Sequence, residues 1–165
     1  MSLYNSGLLE GVRAELVAFA EALGDRGDFY VTEGVRSDAR QAALYAQGRT
    51  VPGKVVTNAQ NATQSAHGNG SAIDIYPYRN GDIVTDGADD GFAIIASLAA
   101  ELGLDWGGNW KSPVDKPHVE VAGWRTYVRE AIEVATSGPG IVVIGALVVG
   151  AALWFLLRGG APWMA

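Results

Sequence analysis

The chain has 165 residues, 48% of them hydrophobic, with 22 glycines, no cysteine, and 12 basic against 18 acidic side chains for a net charge of −6. That is one domain's worth of sequence, and an acidic balance with three lysines and no basic run excludes the counterion-releasing surface that nucleic-acid binding needs, so no nucleic-acid partner is expected. Without cysteine there is no disulfide, no thiol catalysis and no thiolate metal site; any metal must be held by His, Asp or Glu, with only His67 and His118 to supply imidazole.

Glu10, Arg13, Glu15 and Glu21 interrupt the apolar run that a signal peptide would require at the start of the chain. Instead Leu8, Leu9, Val12, Leu16, Phe19, Ala20 and Leu23 recur at three- and four-residue intervals, which predicts an amphipathic helix from Ser6 to Leu23 stopped by Gly24. Phe29 to Val35 is β-branched and aromatic and reads as a strand. Ser37 caps a short helix from Asp38 to Gln47, and the polar stretch from Arg49 to Gln64, with no sustained period, reads as a long loop near function. Ser71 to Tyr76 alternates as a strand, and Asn80-Gly81 supplies a hairpin turn into Asp82 to Thr85. A helix follows through Phe92, Ile94, Ile95, Leu98 and Leu102, capped by Asp89 or Asp90 and stopped by Gly103; then come a short strand from His118 to Val121 and a helix from Trp124 to Ala135. Helices and antiparallel strands without βαβ alternation define an α+β domain, a small antiparallel sheet flanked by helices.

The tail differs in character. Residues 1 to 137 hold all the acids and all but one of the bases; beyond them only Arg158 is charged. Gly138 to Leu157 is 20 residues without a charge, which at ~1.5 Å per residue spans the ~30 Å of a bilayer's hydrocarbon core. The expected organisation is therefore a domain over 1–135, a Gly/Pro hinge at 136–140, a single C-terminal transmembrane helix over 141–158 and a short tail at 159–165. Trp154 and Trp163 suit an interfacial belt, and Ala146 and Gly150 could pair two such helices into an oligomer.

Both histidines sit near acids: His67 is seven residues before Asp74, and Asp115 three before His118. A catalytic zinc site takes three N/O ligands and leaves a fourth position to water, a requirement His67, Asp74 and His118 meet; from spacing alone, two histidines in a chain of this length are more often structural than ligands. Gly68 and Gly70 would let the backbone turn between His67 and the strand carrying Asp74. Glu120, on the same strand face as His118, could orient that histidine or be a plain strand-face acid. For Trp106, Trp110 and Trp124, lining a cleft and filling the core are both open.

Ser65-Ala66-His67-Gly68-Asn69-Gly70-Ser71-Ala72-Ile73-Asp74 fits Ser-x-His-x-x-Gly-x-Ala-x-Asp, and so resembles the zinc-site signature of the D-alanyl-D-alanine carboxypeptidase and L-alanyl-D-glutamate endopeptidase family. Asp105-Trp106-Gly107-Gly108-Asn109-Trp110 with Asp115-Lys116-Pro117-His118, and Gly34-Val35-Arg36-Ser37 with Leu44 to Thr50, resemble blocks of that family's phage endolysin branch. The resemblance covers roughly residues 5 to 125 and implies a zinc peptidase of the LAS/hedgehog-like fold. By it, His67, Asp74 and His118 are the ligands of Zn2+, Asp115 is the general base, and Arg36 and Ser65 contact substrate. For Arg36 the residues also allow an ion pair with Asp38 or Glu33. Asp rather than Glu three residues before the last histidine favours the endopeptidases over the D,D-dipeptidases. His67-Gly68-Asn69 departs from the family's usual His-Asn without touching a ligand.

The expected function is hydrolysis of the peptidoglycan stem peptide at the L-Ala–D-Glu bond by a membrane-anchored, phage-encoded lytic or entry enzyme. Its partners would be bacterial peptidoglycan and a lipid bilayer, and its place a virion membrane or the host inner membrane. The alternatives are a D,D-carboxypeptidase or dipeptidase, and a non-catalytic component that binds cell wall.

Overall fold

The computed structural model describes residues 1–129. Among them, six strands and three helices occur in the order β1 (Ser2–Tyr4), α1 (Ala14–Arg26), β2 (Asp28–Glu33), α2 (Asp38–Ala46), β3 (Ala72–Arg79), β4 (Asp82–Ile83), α3 (Asp90–Glu101), β5 (Leu104–Trp106) and β6 (His118–Val121), and residues 124–129 are helical as well. The sheet order is β1-β2-β3-β6-β5, with β4 folded back on β3. All pairs are antiparallel except β1 with β2, a parallel edge the local sequence does not announce because three residues are too few to alternate.

Strand alternation gives the sheet two chemically distinct faces. Phe29, Val31, Ile73, Ile75, Val119 and Val121 point to one side, where Leu16, Phe19, Ala20 and Leu23 of α1 and Phe92, Ile95, Leu98 and Ala99 of α3 cover them to form the core. The opposite face carries Tyr30 of β2 and, after a register shift between Val31 and Glu33, Glu33 opposite Asp74, with Asp74, Tyr76 and Tyr78 of β3 and His118 and Glu120 of β6.

The first helix begins later than its periodicity predicts. Ser6–Leu9 form a 3-10 turn, Gly11 takes a positive φ of 75°, and α1 starts only at Ala14. Gly24 does not stop it: a Cβ there would lie 3.1 Å from Leu3, so this glycine lets β1 approach the helix, which continues to Arg26. Ser37 caps α2 as expected, its hydroxyl accepting from Arg40 N at 3.2 Å, and Asp89 caps α3 by accepting from Gly91 N at 2.8 Å. The predicted loop carries no helix or strand until a 3-10 turn at Ala62–Gln64.

The expected C-terminal membrane helix requires correction. No helix among the described residues is long and apolar enough to cross a membrane. The longest, α1, has 13 residues, about 20 Å at ~1.5 Å each against a core of ~30 Å, and it carries Glu15, Glu21 and Asp25. The apolar run 138–157, its hinge and its tail lie outside the described residues. The described architecture is the α+β domain, and among the described residues nothing supports the expected membrane localisation, bilayer partner or helix-mediated oligomer.

Candidate metal centre

Three different local structures bring His67, Asp74 and His118 together. His67 opens a 3-10 turn, His67–Asn69, that ends on Gly70 with φ 65°. A side chain at Gly70 would be strained by that φ and would lie 2.4 Å from the Gly11 carbonyl, so glycine is required there. Asp74 lies on β3 directly opposite His118, the first residue of β6. His67 Nε2 lies 3.2 Å from His118 Nδ1 and 3.2 Å from Asp74 Oδ1, and His118 Nδ1 lies 3.1 Å from the same oxygen.

That near-equilateral triangle matches a face of a tetrahedron: ligands at ~2.0–2.1 Å from zinc stand roughly 3.3 Å apart. The other nitrogen of each ring is already committed. His67 Nδ1 lies 3.0 Å from the Gly34 carbonyl, which can only accept, so the proton sits on Nδ1. His118 Nε2 lies 3.2 Å from Glu120 Oε2, so it too is the donor, and Glu120 orients the His118 ring. Both neutral imidazoles therefore present lone pairs beside a carboxylate oxygen, an arrangement that repels itself unless a cation joins it. The donor set fits a divalent metal, and among the described residues this is the one such cluster.

The electrostatics agree. Burial alone would raise the Asp74 carboxyl, but hydrogen bonds with His118 and His67 and their charges outweigh it and hold the group far below the usual carboxylate range. His118 is pushed up to about 9: burial opposes this, but Asp74 on one nitrogen and Glu120 on the other favour the imidazolium. A proton thus competes with a metal for the spot. Asp115 shifts upward, first because it is buried and then because Asp74 is near, against the opposing charges of His118, His67 and Arg36.

Asp115 reaches the centre through a tight turn. Its N–H donates to the Gly107 carbonyl at 3.0 Å, and its own carbonyl accepts from His118 N at 3.2 Å. Trp106 Nε1 donates to the Lys116 carbonyl at 2.6 Å and fastens the same loop. Of the tryptophans, Trp110 places its ring centroid 5.0 Å from that of His118, whereas Trp124 is buried in the core with one edge in the cleft.

These residues line a cleft of about 590 Å³ that also includes Arg36 and Ser65. Arg36 does pair with Glu33, through Nε at 2.8 Å and Nη2 at 2.9 Å, yet it is no surface ion pair, being only 10% exposed and 3.9 Å from Asp74 Oδ2. Asp38, the other partner considered, instead accepts from Ala62 N at 2.9 Å. Ser65 is buried in the cleft wall.

Gln41 is the residue sequence reasoning missed. Fully buried, it accepts from Arg36 Nη1 at 3.0 Å and donates to the Ala59 carbonyl at 2.7 Å and to Thr57 Oγ1 at 3.3 Å, joining Arg36 to the loop that walls the cleft. The sequence offers no signal for it beyond a polar residue within a short amphipathic helix.

A hydrolytic metal centre of the His/Asp/His type, with a carboxylate beside it on the uncovered face of an α+β sheet, is the class this geometry defines. Residues 58–121 match the family described as D-alanyl-D-alanine carboxypeptidase, of the M15 peptidases. CwlK of Bacillus subtilis (strain 168), named peptidoglycan L-alanyl-D-glutamate endopeptidase, is 37% identical over 119 residues, 67% of this chain and 71% of its own. Among solved structures, the Serratia marcescens L-Ala D-Glu endopeptidase ChiX matches with a TM-score of 0.58 and 29% identity over 74% of this chain and 88% of that one. The LD-carboxypeptidase LdcB, TM-score 0.53 and 17% identity over 76% of this chain and 64% of that one, shares the fold. The chain belongs to the M15 peptidase family of metalloenzymes. A phage origin finds no support in these relatives: CwlK and ChiX are bacterial proteins.

Proposed function

We propose that this protein is a zinc-dependent peptidoglycan peptidase that hydrolyses the L-Ala–D-Glu bond of the stem peptide. His67, Asp74 and His118 hold the metal, Asp115 is the general base, and Arg36 and Ser65 contact substrate. The observation that carries the reading is the 3.1–3.2 Å triangle of donor atoms with Asp115 in the same cleft. The endopeptidases CwlK and ChiX support the choice of bond.

Zinc, when bound, supplies a Lewis acid that lowers the pKa of water and polarises a carbonyl. Asp115 takes a proton from the attacking water as its oxygen adds to the alanine carbonyl carbon, then returns it to the departing glutamate nitrogen as the C–N bond breaks. The upward shift of Asp115 suits both transfers. Arg36 has five N–H groups, and its bonds to Glu33 and Gln41 use three, leaving two for a substrate oxygen. Glu33 and Gln41 fix the plane of that fork.

The test is to incubate the full chain with purified peptidoglycan, with and without a chelator, and to identify new termini by mass spectrometry. New D-Glu amino termini that vanish with chelator and return with zinc are expected. Release of terminal D-Ala alone would overturn the choice of bond in favour of a carboxypeptidase.

A further inference from the structure

The sheet face that carries Asp74 and His118 also carries a row of tyrosines that the peptidase chemistry does not use. Tyr4 of β1 is in register with Tyr30 of β2, which is in register with Tyr76 of β3, and Tyr78 lies one pleat further along β3 from Tyr76. The rings of Tyr4 and Tyr78 have centroids 4.5 Å apart and those of Tyr30 and Tyr78 5.3 Å apart, in tilted contact. Tyr4 is 38% exposed and the other two partly so. Three strands thus contribute one continuous aromatic surface, on the side of the sheet away from the α1/α3 core.

The surface shares its sheet face with the catalytic cleft. Tyr76 lies between Asp74 and Tyr78 on β3, so the distance from ligand to platform is four residues, or ~13 Å. A second hollow of about 300 Å³ has Asp115, shared with the cleft, in one wall and Tyr76, the strand neighbour of the platform, in another. Asp28 edges the platform with a half-exposed carboxylate, its carbonyl accepting from Arg79 Nη1 at 3.2 Å.

Resting on the reading of the substrate as peptidoglycan, we propose that the Tyr4–Tyr30–Tyr78 surface is a carbohydrate subsite that holds the glycan strand while the cleft holds the stem peptide. The C–H face of a pyranose is apolar and slightly positive, complementary to the negative face of an aromatic ring, and Tyr presents that face at low entropic cost. The exposed carboxylate of Asp28 at the rim suits ring hydroxyls. The substrate demands such a neighbour, because the first stem-peptide residue is joined to the sugar through a lactyl group, so a sugar must lie within a few bonds of an L-Ala–D-Glu bond in the cleft. A chain with net charge −6 disfavours the other polymer that stacks on aromatic rows, single-stranded nucleic acid.

Two measurements on the full chain test this. Calorimetric titration with a soluble N-acetylglucosamine oligosaccharide should show binding that weakens about tenfold or more in Tyr4→Ala and Tyr78→Ala, and that survives in Tyr78→Phe, which keeps the ring. In parallel, the ratio of kcat/KM for a disaccharide-linked stem peptide to that for the sugar-free peptide should exceed one and fall in the alanine variants; a general folding defect would lower both values and leave their ratio. No saccharide binding, or variants that bind as the wild type does, would overturn the subsite even if both peptides are cleaved. Ring-dependent saccharide binding with neither peptide cleaved would uphold the subsite and overturn the proposed bond instead.

Discussion

Gly107→Ala tests whether the position of Asp115 governs turnover. A Cβ at Gly107 would stand 2.4 Å from the Asp115 carbonyl oxygen, 3.2 Å from Asp115 Cβ and 3.1 Å from His118 Cβ. Ordinary contact needs about 3.4 Å, so the backbone of Asp115 must retreat by ~1 Å while His118 need give only a few tenths. A misplacement of that size in a reacting group costs on the order of a hundredfold in rate, and overpacking a tight turn costs ~1–3 kcal/mol in stability. The expected protein folds, with a lowered Tm, and keeps most of its zinc affinity because His118 need give only a few tenths of an ångström and keeps its pairing with Asp74 across β3 and β6. Its kcat/KM on disaccharide-linked stem peptide should fall about a hundredfold. Steady-state kinetics alongside thermal denaturation and zinc titration decide the matter. A Gly107→Ala protein with wild-type kcat/KM would refute both the close approach and the role given to Asp115.

Asp115→Asn should keep zinc and lose turnover by ~10²–10⁴, whereas His67→Ala should lose both, as metal analysis with kinetics will show. Glu120→Gln should weaken zinc binding by about 10–100-fold, measured by chelator competition, since the partner of His118 Nε2 loses its charge. In the chelated protein His118 shifts from 6.5 to about 9 on folding. Its contribution is therefore complete below pH 6.5 and disappears as pH rises through 9, a loss of ~3 kcal/mol visible as a falling urea midpoint. A midpoint that rises over that range would contradict the pairing of His118 with Asp74 and Glu120. Chelation should abolish hydrolysis of peptidoglycan, and zinc should restore it; chelator-resistant release of D-Glu amino termini would remove the metal from the chemistry.

The three residues that the fold gathers into the candidate metal centre were legible because each lies in a short block with its neighbours fixed. The turn glycine Gly70 sits three residues after His67, Asp74 falls on the polar phase of an alternating strand, and Asp115 precedes His118 by one turn. What the sequence could not show is how separate segments meet. The register of Asp74 with His118 depends on pairing strands 44 residues apart, and the acceptor that sets the His67 tautomer is the Gly34 carbonyl, 33 residues away. Local periodicity carries no information about such partners. It misled at α1 for a related reason: the apolar spacing from Leu8 to Leu23 continues through Gly11, but Arg13 N bonds the Gly70 carbonyl at 2.9 Å and the chain leaves the helix to make that contact.

The same limit explains Gln41, Glu33 and Arg36, which as sequence are an ordinary polar helix residue and an ion pair three apart. In the folded protein the Arg36 guanidinium is flanked by Glu33 and Gln41 and stands 3.9 Å from Asp74, so a cation sits beside the most strongly depressed carboxylate of the site. A guanidinium so close to a candidate metal centre would oppose binding of a divalent cation were its charge not spent. The two bonds to Glu33 spend it, so Asp74 stays available to a metal, and the remaining N–H groups of Arg36 are aimed by Glu33 and Gln41. On the proposed reading, that clamp is what would let a positively charged substrate contact and a divalent metal share one small cleft.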